Sequence, residues 1–470
     1  MFGNIQPLDG TRVQPTKVVV DLLKRITADK KRISQISVAK KAYVSRETVR
    51  DILGGDTTQF GTLKGVCKAA DDLFEQAFGY RLIRTLYEEQ HYTLIIGNSK
   101  GDVDSNHESA GKDEADRFIK VMKRIKADTL MTLSPPISYK PEYKYQPIRF
   151  EEYVAYFSPL VNQVLPEAEL QWIENPLPYE CKNLSEEHQR VIIDKVINNP
   201  HRTSRVFNGD KVRMASDITP ESIEKNEAIL VQKANYYQNI ATNGFISWEL
   251  QRKSSSSSVV KGIDLLRDED TDALYSLSGS PCSNQIGASC MGITSDNRMI
   301  NLYQTEGNLE SQGLIAPSGS GSADYCDLEE TNGDFRKFVI KVAERELLEE
   351  CGLLGDPKVK VKTILIGFAR LMNRAGKPEF FGVSFMNIPF SEINVAKDEI
   401  DYVADHRGRE IRQDISALKL DIEHMLAKLA ESMSFPLYLN LKFLHDFLST
   451  SPDLFLKIKN DFIAECNKTD

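Results

Sequence analysis

Long apolar runs are missing from this sequence. Apolar stretches such as 92–96, 191–193 and 364–368 fall far short of the roughly 20 residues that a membrane-spanning helix requires, so no transmembrane segment is expected. The opening stretch MFGNIQPLDGTRVQPTK has no cationic start followed by an apolar core, so it does not read as a secretory signal and the cytoplasm is the expected compartment. Cysteine is sparse: Cys67, Cys181, Cys282, Cys290, Cys326, Cys351 and Cys466 are odd in number, widely spaced and without a CxxC pair. That pattern argues against a disulfide framework or a zinc site and for scattered reduced thiols. The histidines show neither HExxH nor zinc-finger spacing. Nor is there an excess of positive charge, since 59 Lys and Arg face 68 Asp and Glu for a net charge of -9.

A length of 470 residues, 41% hydrophobic and 27% charged, suits several folded units of ordinary globular composition. Charge is unevenly spread along them. Residues 1–85 carry 15 basic and 9 acidic side chains, a balance of +6, and the remainder carries 44 and 59, a balance of -15. A basic end on an acidic chain suggests a nucleic-acid-facing module attached to something else.

In the basic end, Val19, Leu22, Leu23 and Ile26 recur at helical spacing. A second short helix, QISVAKKA, precedes YVSRETVRDILGG, where Ser45 can cap a helix that turns Val49, Ile52 and Leu53 inward and Arg46, Glu47 and Arg50 outward. The run from Gln35 through Ala39, Tyr43, Ser45, Thr48, Val49 and Ile52 to Gly55, continued by Leu63, Val66 and Ala70, resembles the helix-turn-helix of the Cro-like phage-repressor family. The resemblance implies that the helix beginning near Ser45 enters the major groove of a DNA operator. Gln35 would then contact phosphate, Arg46, Glu47 and Arg50 would face base edges, and a homodimer would read two half-sites. Tyr43 stands where that family usually has a turn glycine. A small helical bundle used for protein contact is the alternative.

Residues 86–260 suggest an α/β or α+β region of unassigned role. Strands are expected at HYTLIIG (91–97) and TLMTLS (129–134), and helices at EADRFIKVMKRIKA (114–127), FEEYVAYFSPLVNQVL (150–165) and EEHQRVIIDKVIN. Asp102, Asp104, His107 and Glu108 lack EF-hand spacing and read as a solvated loop. Five serines, 254–258, read as a linker or a long mobile loop and mark the boundary near 260.

The segment FVIKVAERELLEECGLLG carries the clearest chemistry. Val342, Leu347 and Leu348 form an apolar stripe, while Glu346, Glu349 and Glu350 fall at i, i+3 and i+4 and share another face. Such a cluster repels itself unless a hard divalent cation such as Mg2+ takes its oxygens; a solvated acidic face is the ordinary alternative. The stretch Arg345-Glu-Leu-Leu-Glu-Glu-Cys-Gly-Leu353 fits REUxEExGU, with U a bulky aliphatic residue, and so resembles the second half of the Nudix box. Around it, 284–304 resembles the opening hairpin of that fold and 313–327 its glycine-rich segment; two later strands are joined by Asn-Arg-Ala-Gly. The first half of the box departs from the family, with Thr331 and Lys337 in place of its glycine and glutamate.

The resemblance implies Mg2+- or Mn2+-dependent hydrolysis of a nucleoside-diphosphate-linked metabolite. Glu346, Glu349 and Glu350 would bind metal, Arg345 would orient a glutamate, and Arg345, Glu349 and Glu350 would carry catalysis. Glu379, in a loop or hairpin edge after the box, is the candidate further base. Arg370, Arg374 and Phe380 are candidates to grip a phosphate and stack a base. The expected architecture is therefore multidomain: an all-α helix-turn-helix bundle (1–85), the middle region (86–260), a Nudix-type α/β/α sandwich (261–405) and a helical C-terminal extension (406–470), which packs on the sandwich or forms a dimer contact. Two functions remain open, a DNA-binding regulator that senses a nucleotide and a working pyrophosphohydrolase with an accessory DNA-tethering module.

Overall fold

A computed structural model describes scattered residues between 12 and 94, and residues 118–468 apart from 124, 182, 198–207, 255–256, 305–312 and 395–402. The chain divides into two compact units, Met1–Asn106 and His107–Asp470. No helix among the described residues is long and apolar enough to cross a membrane.

In the first unit, helices α1 (Gln35–Ala42) and α2 (Arg46–Gly54) occupy the segments expected. Val38, Ala39, Val49, Ile52 and Leu53 are buried, as are Val20, Leu23, Leu63, Val66 and Ala70. Residues 43–45, including Ser45, lie outside the described residues. The unit is not purely helical. Strands β1 (Arg12–Pro15), β2 (Thr58–Gln59) and β3 (Tyr92–Leu94) form a small antiparallel sheet in the order β2-β1-β3. The strand expected at 91–97 thus exists but pairs with the N-terminal segment, and a sequence pattern cannot reveal so distant a partner. The acidic segment 102–108 lies outside the described residues.

The second unit is built on a nine-stranded mixed sheet. Its strands are β5 (Gln146–Phe150), β6 (Tyr153–Phe157), β12 (Gly287–Ile293), β13 (Arg298–Gln304), β14 (Ile315–Ala316), β15 (Gly319–Ser322), β16 (Val361–Leu371), β17 (Lys377–Met386) and β18 (Val403–Glu410). The main path runs β14-β13-β12-β17-β16-β6-β5, with β15 on β12 and β18 on β13; the β12–β17 pairing is parallel. The sheet therefore crosses the sequence positions 260 and 405, taking a hairpin from before the first and a strand that spans the second.

Apolar side chains on both faces demand cover on both faces. On one side lies α3 (Phe335–Glu350), whose Phe335, Phe338, Val342 and Leu347 pack with Ala288, Cys290, Leu365 and Phe380. On the other lie α4 (Ile415–Lys428), α5 (Phe435–Thr450) and α6 (Pro452–Cys466), whose Phe443, Leu444 and Phe455 pack with Met291, Ile366, Phe381 and Phe385. Phe443 stands 5.2 Å from both Phe157 and Phe381. Gly367 is required beneath it, because a Cβ there would overlap the ring. The C-terminal helices are thus a layer of the fold.

Several local expectations fail where tertiary pairing overrides periodicity. The helix expected at 114–127 contains strand β4 (Phe118–Met122), which pairs with β10 (Trp248–Arg252). The strand expected at 129–134 is preceded and partly replaced by a short helix, Ala127–Met131. The helix expected at 150–165 is split: β6 ends at Phe157, Ser158 accepts from the Val161 N–H, and Pro159 starts a short helix to Val164. Proline at a first helical position suits that switch. The serine run connects β10 to β11 (Ser258–Lys261), so it sits in a hairpin within one sheet and not between domains. The helix Glu186–Ile197 forms where expected.

A further sheet, β7 (Trp172–Asn175), β9 (Ile229–Asn235) and β8 (Asp210–Met214), docks on the end of the large one. The Val212 N–H donates to Ala323 O at 3.2 Å and Val212 O accepts from the Ile286 N–H at 2.9 Å, which wedges β8 between the segments flanking β12 and β15.

Candidate active site

Helix α3 begins where Asp334 accepts from the Lys337 N–H at 2.8 Å, a standard N-cap. It ends at Gly352, whose φ of +66° closes the left-handed turn that favours glycine. Between these signals the helix lies against β15, close enough that two glycines are obligatory. A Cβ on Gly319 would stand 2.5 Å from the Leu347 nitrogen, and one on Gly321 would overlap the Glu346 carboxylate. The glycine-rich strand thereby seats the carboxylate face of the helix.

Arg345 is the hub of that face. Its guanidinium donates to Asp327 at 3.0 Å and to Glu349 at 2.9 Å, and lies 3.0 Å from Glu346 and 3.6 Å from Asp324. Asp327, only 3% exposed, is held by the turn Tyr325–Leu328 and accepts from the Asp324 N–H at 2.8 Å. Lys211, on β8, donates to Asp324 and lies 3.4 Å from Ser322 O. Four carboxylates therefore meet two cations, Arg345 and Lys211, which leaves a formal surplus of two negative charges when all four are ionised.

Burial is the largest influence on the glutamates of this helix. Burial pushes Glu346 up, against the pull of Arg345 and Lys211. Burial likewise pushes Glu349 up to about 7, opposed by Arg345 and reinforced by Glu346 and Asp324. For Arg345, burial alone would lower its pKa, but Glu346, Asp327 and Glu349 outweigh it and raise it. Glu344, on the sheet side, is pushed up to about 7 by burial although it accepts from the Thr363 N–H at 3.1 Å. Glu350 continues the helix edge one turn beyond Glu346, and its carbonyl is 2.9 Å from His406 Nε2 on β18.

Among the described residues, no three carboxylate, imidazole or thiol groups already converge as a cage for a metal ion. The donors nonetheless fit a hard divalent cation in kind and in charge: they are oxygens, and the cluster is two charges short of neutrality. Arg345 meets Glu346 through Oε1 and Glu349 through Oε2, so each carboxylate has its second oxygen to offer the ion.

The other residues singled out in the sequence lie elsewhere. Glu379 is within β17, buried, bound to Lys377 at 2.6 Å and accepting from Ser289 at 2.9 Å. It is therefore neither in a loop nor on a hairpin edge. Its neighbour Phe380 packs 5.6 Å from Phe335 of α3 and 4.8 Å from Phe368. Successive strand residues point to opposite faces, so Glu379 faces away from the carboxylate helix and Phe380 fills the core. Arg370 is fully buried, with its guanidinium on Gly376 O at 3.1 Å and Tyr275 O at 2.7 Å. Burial lowers the Arg374 pKa against the charge of Glu379, while its carbonyl accepts from Asn243 at 2.9 Å. Thr331 receives Trp172 Nε1 at 3.0 Å, and Lys337 donates to Glu330 O at 2.9 Å, so both substitutions in the first half of the box serve the loop before α3.

In the first unit Gln35 opens α1 half-buried, and Arg46 and Glu47 lie in the first turn of α2. Arg50 is exposed and 3.6 Å from Asp51.

Sequence reasoning misses Asp324, Asp327 and Lys211. The two aspartates had a local signal, an Asp-Tyr-Cys-Asp turn directly after the glycines; Lys211 had none, because β8 reaches the cluster from more than a hundred residues away.

No family model and no curated protein matches this chain. Solved structures do align with part of it. DR0079 from Deinococcus radiodurans is 12% identical over 34% of this chain and 81% of its own, with a TM-score of 0.23. A bifunctional NMN adenylyltransferase/ADP ribose pyrophosphatase from Francisella tularensis, complexed with AMP and a Mn ion, is 16% identical over 35% of this chain and 42% of its own, with a TM-score of 0.23. A Nudix hydrolase from M. smegmatis, RenU, is 12% identical over 40% of this chain and 96% of its own, with a TM-score of 0.24. At those scores no functional assignment rests on the likeness.

Proposed function

We propose that the second unit is a Nudix-type hydrolase that binds, and with Mg2+ or Mn2+ cleaves, a nucleoside diphosphate linked to a second moiety. The observation that carries this reading is Arg345 at the centre of Glu346, Glu349 and Asp327, with Gly321 leaving room for the Glu346 carboxylate. Arg345 fixes the direction of both glutamates, and Asp327 and Asp324 fix Arg345. When bound, a divalent ion would acidify water and neutralise charge on the phosphoryl oxygens.

The same site could bind a nucleotide without turnover, and the two outcomes separate in one assay. The protein is incubated with Mg2+ and a panel of ADP-ribose, dinucleoside polyphosphates, NAD(H), nucleotide sugars and nucleoside triphosphates, beside Glu349→Gln and Glu350→Gln. Hydrolysis lost in both variants supports the enzyme. Ligand binding without product supports a sensor, and neither result with any compound rejects both.

A second reading concerns the first unit. Helices α1 and α2 bury Val38, Val49, Ile52 and Leu53 against one another's side of the unit and leave Lys40 and Arg50 exposed. That favours a helix-turn-helix operator-binding module, with a homodimer reading two half-sites and a cytoplasmic regulator as the whole. Binding to the chain's own promoter should weaken steeply with salt. Affinity that ignores salt and survives Arg46→Ala with Arg50→Ala rejects this module.

A further inference from the structure

We propose that Lys211 is the built-in countercation of the carboxylate cluster, occupying in the metal-free protein part of the electrostatic role that a divalent ion takes over. The inference rests on reading the cluster as a cation site, and it assigns a task to the region before residue 260, which the enzyme reading leaves idle. Lys211 is not on the carboxylate helix or the glycine-rich strand. It arrives on β8, where two backbone hydrogen bonds of the adjacent Val212, to Ala323 and from Ile286, fix its position relative to Ser322 and Asp324. Its side chain is only 16% exposed. Its ammonium donates to Asp324, which itself faces Arg345, and its charge reaches Glu346.

Two properties separate Lys211 from Arg345. Arg345 is pinned by Asp327, Glu346 and Glu349 through a planar fork, whereas Lys211 is a compact charge on a flexible stem with one carboxylate partner, Asp324, among the described residues. It can therefore withdraw while Arg345 stays. Without Lys211 the cluster would be three charges short of neutrality, a harsher repulsion in the metal-free state and a stronger attraction for a divalent ion. Lys211 thus acts through Asp324 and Glu346 as a positioning residue that sets how tightly the site holds metal.

The test uses Mn2+ alone as probe, titrated into the full chain and followed by electron paramagnetic resonance. If Lys211 competes with the ion, Lys211→Met and Lys211→Gln should each bind Mn2+ more tightly by roughly 3- to 10-fold, the effect of one charge removed at close range in a partly screened site. Lys211→Arg should bind like the native protein. So should Lys341→Met, which removes a half-buried lysine of α3 that donates to Glu329 O. In a Glu346→Gln background the Lys211 effect should shrink or vanish, as coupled neighbours require. Neutral variants that bind Mn2+ equally or more weakly would overturn the proposal and leave the metal site standing. A native protein that binds no Mn2+ would overturn the metal site and this inference together. If Lys211→Met does not fold, Lys211→Gln, which keeps a donor for Ser322 O, decides alone.

Discussion

Adding one methyl group at two neighbouring glycines should produce opposite phenotypes. In Gly319→Ala the new Cβ would stand 2.5 Å from the Leu347 nitrogen and 2.6 Å from its Cα, where ordinary contact begins at 3.4 Å. Both obstacles are helix backbone, so α3 must retreat by about 1 Å along a face that is packed at interior density. Overpacking of that kind costs about 3 kcal/mol, the upper end of the usual range. The smaller entropy of the unfolded alanine chain returns only about 0.5 kcal/mol. A net loss of that size should lower the melting temperature of the second unit by roughly 3–4 °C, since a unit this large has a large unfolding entropy. In Gly321→Ala the obstacle is the end of the Glu346 side chain, which can rotate. Stability should then change by less than about 1 kcal/mol, but Glu346 must leave its place 3.0 Å from Arg345. Mn2+ affinity should fall roughly 10-fold, as for other losses of ligand orientation. Thermal unfolding by circular dichroism and Mn2+ titration of both variants read the two effects separately. Gly319→Ala melting like the native protein, or Gly321→Ala binding Mn2+ normally, would refute the argument that β15 seats the carboxylate helix.

Other consequences follow from the same geometry. Arg345→Ala leaves Asp327 buried without its principal cation and should destabilise the second unit by about 3–5 kcal/mol, seen in urea unfolding; Arg345→Lys should recover only part of it, because one ammonium cannot reproduce the fork. Glu344 has its folded-state pKa raised from 4.5 to about 7, so the folded protein holds a proton that the unfolded chain releases. Stability should therefore fall as pH rises between those values and level off above, and Glu344→Gln should flatten that slope in a series of thermal melts. Phe443→Ala should cost about 3–5 kcal/mol, since the ring is buried between Phe157 and Phe381; a loss below about 1 kcal/mol would show that α5 is not a layer of the fold.

The parts of the site that are legible in the sequence are the local ones. Glu346, Glu349 and Glu350 share a helix face by spacing alone, and Gly352 announces the end of that helix. Gly319 and Gly321 are visible as glycines, but the reason for them, Leu347 and Glu346 pressed against β15, exists only in three dimensions. Asp327 matters because Arg345 reaches back across 18 residues to it, and Lys211 because a separate small sheet docks on the large one. Glu379 shows the reverse error. Its neighbours suggest an exposed hairpin edge, yet parallel pairing of β17 with β12 buries it opposite Gly287, where it takes Lys377 and Ser289 as partners. The segment Phe118–Met122 is similarly ambiguous, because Phe118, Ile119 and Val121 suit a strand while the flanking charges suit a helix. Pairing with β10, more than a hundred residues later, decides it. The sheet likewise ignores the serine run, since flexible composition marks a loop but says nothing about which strands that loop joins.

The proposed activity is hydrolysis of a phosphoanhydride at the carboxylate face of α3. Product analysis in 18O-labelled water tests it most directly, with Mg2+, the compound from the panel that binds best, and Glu349→Gln in parallel. Hydrolysis at this site should give Mg2+-dependent products with one labelled oxygen on a newly formed phosphate group, and these should be lost in the variant. Unlabelled phosphate groups, or equal yields from the native protein and Glu349→Gln, would contradict it.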